Sequence, residues 1–74
     1  MRYVLCVNNA GYPAALEPRK IYRRLPDAAA RGHGLMRVID ESGEDYLYPQ
    51  TFFVSVVLPK AAQRLLASNR TGRK

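Results

Sequence analysis

The apolar positions fall into short blocks whose spacing switches several times along the chain. "RYVLCV" at the start carries Tyr3, Val4, Leu5, Cys6 and Val7 without a polar break. An unbroken run of β-branched and aromatic residues reads as a central strand, covered on both faces. "NNAGYPAALEP" then brings two asparagines, Gly11, Pro13 and Pro18, which is turn chemistry and predicts a long loop. "RKIYRRLPD" returns to alternation, with Ile21 and Leu25 on one side and Tyr22 with Arg24 on the other, so a second strand is expected. Asp27 stands before "AAARG", placed to cap a single helical turn that stops at Gly32 or Gly34.

"LMRVID" and "EDYLYP" flank Ser42-Gly43 and give the strongest hairpin signal in the chain. "QTFFVSVVLP" is a further strand bounded by Pro49 and Pro59. Pro59 suits a first helical position, and Leu58, Ala62, Leu65 and Leu66 fall near one face, with Lys60, Gln63 and Arg64 largely opposite. A short amphipathic helix packed on the sheet is therefore expected. The pattern predicts one mainly β domain over residues 1–67, about five strands in a partly open barrel closed at one end by the helix. "SNRTGRK", residues 68–74, reads as a frayed basic tail without apolar anchors.

Length and cysteine content narrow the class. A 74-residue chain has room for one core, and a single cysteine, Cys6, makes no internal disulfide. A small domain without a disulfide framework points to a reducing compartment, so the cytoplasm is expected. The apolar run near the start is too short for a signal-peptide core or a membrane span, and no membrane association is expected. The net charge of +6 is uneven. Residues 60–74 hold five bases and no acid, whereas residues 1–59 carry seven bases against six acids and are nearly neutral.

The acidic segment "RVIDESGEDYLYP" raises the question of a metal or acid/base site. A two-residue turn on Ser42 and Gly43 would set Glu41 opposite Glu44, Asp40 opposite Asp45, Ile39 opposite Tyr46 and Val38 opposite Leu47. Facing carboxylates repel unless solvated or bridged by a cation. The spacing matches no calcium loop, and a turn tip lacks the shelter that separates the pKa values of catalytic carboxylates. The segment is therefore expected to be a solvated hairpin end, with no metal held there. Cys6 and His33 make a poor nucleophile and base, one inside an apolar strand and the other between two glycines, and one Cys with one His is too few for zinc. No phosphate-binding or dinucleotide fingerprint occurs, so no cofactor and no catalytic activity are expected.

Two binding readings remain. The first is a protein or peptide partner docked on an aromatic surface formed by Tyr12, Tyr46, Tyr48, Pro49 and Phe52. The second is nucleic acid, tracked by Arg19, Lys20, Arg23, Arg24 and the basic tail, with Tyr22 as a stacking platform. Strand alternation sends Arg23 and Arg24 to opposite faces, which weakens the second.

The order "LEPRKIYRRLPD", hairpin, "YLYPQTFFVSV" resembles the layout of Src-homology-3-like small barrels. There, a leucine and a Lys-x-Tyr strand follow a long first loop, and a Pro-x-x-aromatic segment leads into the last strand. Leu16, Lys20, Tyr22, Pro49 and Phe52 stand at the corresponding places. The resemblance implies the barrel fold. It does not carry proline-rich peptide recognition over, because the Ala-Leu-Tyr-Asp-Tyr run, the acidic first loop and the hairpin tryptophan are missing. Over roughly residues 2 to 66 the chain is also similar to a set of short, uncharacterised bacterial proteins that share "VIDESGEDYLYP" almost verbatim, a family with no assigned activity.

Overall fold

Five short strands form the framework of the computed structural model, which describes residues 2–72, with side chains as far as Leu66. The elements are β1 (Arg2–Cys6), β2 (Ile21–Leu25), α1 (Ala28–Gly32), β3 (Leu35–Ile39), β4 (Asp45–Pro49), β5 (Phe53–Val56) and α2 (Lys60–Gly72). A 3-10 turn over Gln50–Phe52 separates β4 from β5. The strands form one open antiparallel sheet in the order β4-β3-β2-β1-β5, so the fold is mainly β with a short C-terminal helix. β1 lies inside the sheet between β2 and β5, in keeping with its two-sided apolar run, and β4 and β5 are the free edges.

The sheet's two faces differ. Val4, Cys6, Tyr22, Val38, Tyr48 and Phe53 point to the inner face and, with Leu16 from the first loop and Phe52 from the 3-10 turn, make the buried core. The long loop between β1 and β2 is tied to the sheet at several points. Arg19 N–H donates to the Cys6 carbonyl, Val7 N–H to that of Phe52, and the Asn9 side-chain amide to that of Leu16. These bonds hold Leu16 over the core, where it is buried. Asp27 caps α1 as expected, its Oδ1 accepting from Ala30 N–H at 3.0 Å, and the turn ends at Gly32.

The hairpin corrects the expected register. Ile39 pairs with Asp45, Val38 with Tyr46, Arg37 with Leu47 and Met36 with Tyr48, one position away from a two-residue turn on Ser42-Gly43. The loop has three residues, Glu41, Ser42 and Gly43. Asp40 N–H donates to the Glu44 carbonyl and Gly43 N–H to the Asp40 carbonyl, while Gly43 adopts φ +86. This is a tight turn followed by a left-handed residue, the common three-residue hairpin whose twist suits the flanking strands. Asp40 sets it locally, with its Oδ1 accepting from both the backbone N–H and the hydroxyl of Ser42. The slip moves Tyr46 and Tyr48 onto the face of Met36 and Val38, and leaves Ile39 on the other face with Leu47.

No heavy atom lies within 4 Å of a Cβ built on Gly43, so substitution there is resisted by backbone conformation alone. Gly43→Ala is expected to cost about 1–2 kcal/mol, the penalty of holding an L-residue left-handed. In a domain this small that lowers the thermal midpoint by roughly 4–8 °C per kcal/mol. An unchanged midpoint would mean that the hairpin adopts a different loop.

The outer face is not bare. Tyr3 points away from the core cluster yet is buried, and Leu58, Gln63 and Leu66 line clefts beside it. The C-terminal helix therefore lies along the outer face near Tyr3 instead of closing an end of the barrel. Of the helix leucines expected to face inward, Leu66 is half-buried and Leu65 is 65% exposed. α2 runs through residues 68–72 of the expected tail, and residues 73 and 74 lie outside the described residues.

Candidate binding surfaces

The expected aromatic surface divides into core and ledge. Tyr48 is 1% exposed and Phe52 is also buried, so both are core residues unable to offer a face to a partner. Pro49 follows Tyr48 along β4, and strand alternation turns it to the outer face. Tyr12 and Tyr46 remain together on one side. Tyr12 is half-buried in the first loop, and Tyr46 on β4 is 56% exposed. Their ring centroids are 6.4 Å apart. Tyr12 also meets Tyr48 edge-on at 4.9 Å and Phe52 at 6.2 Å, while Tyr46 leans on Tyr48 at 5.2 Å. The result is a two-tyrosine ledge backed by the core.

The basic set does not converge. Arg19 is exposed in the first loop and holds φ +70, a left-handed conformation. Lys20 is engaged by Glu41 at 2.7 Å. Arg23 faces outward on β2, with its Nε buried and without a hydrogen-bond partner among the described residues. Arg24 lies on the inner face, directly across from Arg2 of β1. Two arginines outside the expected set, Arg2 and Arg31, meet Arg24 at one small cavity. Burial, reinforced by the charges of Arg2 and Arg31, holds the Arg24 guanidinium below its ordinary pKa. Only the β1–β2 register reveals the pairing with Arg2, and a long irregular loop sets that register.

The acidic segment is an exposed hairpin end, and its carboxylates also form a structural hub. Glu41 receives Lys20 Nζ and the Tyr22 hydroxyl, and its backbone N–H donates to the Ala15 carbonyl. Hydrogen bonds from Lys20 and then Tyr22 hold its carboxyl below the ordinary range, against the opposing effect of burial. For Asp40, burial pushes upward most strongly, but hydrogen bonds from Ser42 and Tyr48 together outweigh it and the carboxyl also lies low. Asp45 accepts from Arg37 Nη1 at 2.7 Å, while Arg37 Nε reaches Asp27 at 2.9 Å. Each of these three carboxylates has a protein partner. Among the described residues no group of three His, Cys, Asp or Glu side chains is placed to hold a metal ion.

Cys6 is fully buried in the core. Burial pushes its thiol above the usual pKa, and its Sγ–H donates to the Asn8 carbonyl at 3.3 Å. His33 is exposed at the end of α1. An open cleft of about 400 Å³ runs between Tyr3, Ile21, Arg23, Ile39 and Leu66, with the Lys20–Glu41 pair at its rim. No helix among the described residues is long and apolar enough to cross a membrane. Compared with protein-family models, curated proteins and solved structures, the chain matches none.

Proposed function

We propose that the protein is a small non-catalytic binding module that takes an extended peptide segment of a protein partner on the Tyr12–Tyr46 ledge. The observation that supports this most is Tyr46, a large aromatic side chain left 56% exposed yet held by ring contacts to Tyr12 and to the fully buried Tyr48. An exposed tyrosine with a rigid backing loses little conformational freedom on binding, which is why tyrosines are frequent among the residues that dominate interface energies. Most exposed apolar side chains on a monomer need no explanation, but adjacent aromatics on one rigid face offer a continuous apolar footing. An extended segment fits beside β4, which is an edge strand with unpaired backbone groups along its free side.

The test is a peptide-display selection followed by titration of selected peptides into isotope-labelled protein. Shifts are expected at Tyr12, Tyr46 and β4. Tyr46→Ala is expected to weaken the selected peptides by roughly 30-fold, the effect of a 2 kcal/mol hot spot, with the thermal midpoint almost unchanged. Peptides whose affinity ignores both Tyr12→Ala and Tyr46→Ala would defeat this reading. Tight binding of oligonucleotides that falls steeply with salt and ignores the same substitutions would favour nucleic acid instead.

A further inference from the structure

We propose that the cavity between β1, β2 and α1 is a binding site for a single phosphate group, held by Arg2, Arg24 and Arg31. The site shares no residue with the tyrosine ledge. Arg2 and Arg24 are direct partners across the β1–β2 ladder and so share a face. Like charges placed directly opposite on neighbouring strands destabilise a sheet. Arg31, in the last turn of α1, brings a third guanidinium to the same cavity, which Met36 and Gln50 also line.

Charge balance makes this cavity strongly basic. Four arginines and one aspartate line it, the fourth being Arg37. The aspartate, Asp27, is spoken for: its Oδ1 accepts from Ala30 N–H and its Oδ2 from Arg37 Nε. Arg37 in turn takes Asp45. Three positive charges are left uncompensated, and no carboxylate among the described residues makes an ion pair with Arg2, Arg24 or Arg31. The acidic hub lies at the opposite end of the hairpin, occupied by Lys20 and Tyr22.

The size of the space suits a small group. The cavity measures about 120 Å³, well below the roughly 300–1,000 Å³ of sites that enclose a whole organic ligand. It admits one small group together with a few waters, each water taking about 30 Å³. Guanidinium forks match the oxygens of a tetrahedral oxyanion in pairs. A phosphate brings up to two negative charges against the three that are free. The chemistry is common to inorganic phosphate, or a small phosphomonoester, and to the phosphodiester of a nucleic acid strand.

Two measurements test it on the full chain. The first is the thermal midpoint in phosphate against chloride at equal ionic strength and pH. At about five times its dissociation constant, phosphate should raise the midpoint by roughly 4–8 °C beyond chloride. In Arg24→Gln and Arg31→Gln that gain is expected to vanish, while the midpoint in chloride stays level or rises because a like-charge contact has been relieved. The second is the shift of the arginine Nε–H resonances on adding either inorganic phosphate or a twelve-residue oligothymidylate. Movement of Arg2, Arg24 and Arg31 with either probe supports the site, and the tighter probe identifies the source. A phosphate gain no larger than that of chloride, a gain that persists in both variants, or resonances that stay still with both probes would overturn it.

Discussion

Tyr48→Ala is expected to leave the protein largely unfolded at room temperature. Tyr48 is the largest fully buried side chain among the described residues. Its ring meets Tyr12 edge-on, Tyr46 at a tilt and Phe53 at 6.3 Å, so one residue joins the first loop, β4 and β5. Truncating a buried aromatic to alanine costs about 3–5 kcal/mol, because the cavity closes only in part. A single-core domain of this length without an internal disulfide has roughly 3–5 kcal/mol in total. The loss therefore matches the whole stability, and circular dichroism should show little cooperative unfolding in urea.

Tyr48→Phe separates ring from hydroxyl. The hydroxyl donates to Asp40 Oδ2, while Oδ1 keeps both bonds from Ser42, so the phenylalanine variant should lose less, about 1.5–3 kcal/mol, and unfold cooperatively. Near-wild-type behaviour of Tyr48→Ala would mean that the core does not depend on this ring. Burial and the Asp40 carboxylate push the Tyr48 hydroxyl well above its ordinary pKa. Its ionisation, followed by absorbance, should accordingly appear only as the alkaline protein unfolds.

The strand pattern was readable because β1 is an unbroken apolar run and β2, β3 and β4 are short β-rich blocks, with glycine, proline or a capping aspartate between them. The inside-outside assignment of β2 follows from alternation alone, and Tyr22 is buried while Ile21 is half-buried on the other face. What escaped reading depends on partners distant along the chain. Ser42-Gly43 is compatible with either a two- or a three-residue loop, and the choice rests on the Asp40 side chain engaging Ser42. That one position decided which residues share a face with Tyr46 and Tyr48. Gln50, Thr51 and Phe52 have the composition of a strand but form a 3-10 turn that brings Phe52 into the core. The arginine cavity needed the β1–β2 register, which no local signal supplies. The ties of the acidic segment escaped reading because Lys20 and Tyr22 stand about twenty residues earlier.

Glu41 carries the second large expected effect, since it ties the hairpin loop to the start of β2. Glu41→Ala should cost about 2 kcal/mol. Little of this comes from Lys20, whose side chain is half-exposed, as surface ion pairs contribute under about 1 kcal/mol. The larger part is the Tyr22 hydroxyl, which is buried, accepts from Glu17 N–H and loses the acceptor for its own proton; bonds to charged groups are worth about 1.5–3 kcal/mol. Acid should reproduce part of the same loss. Glu41, Asp40 and Asp27 all have folded-state pKa values below their ordinary ones. The unfolded chain therefore binds more protons than the folded one in this range, so their contribution is complete above the ordinary values of 4.5 for Glu and 3.8 for Asp, and disappears as pH falls through the depressed ones. Urea midpoints should be level from neutral pH down to about pH 5 and then drop. In Glu41→Gln the neutral midpoint should be lower and the acid drop smaller, because one titrating partner is already gone. An acid drop of the same size in that variant would assign the loss to Asp27 and Asp40, and would reduce Glu41 to a surface charge.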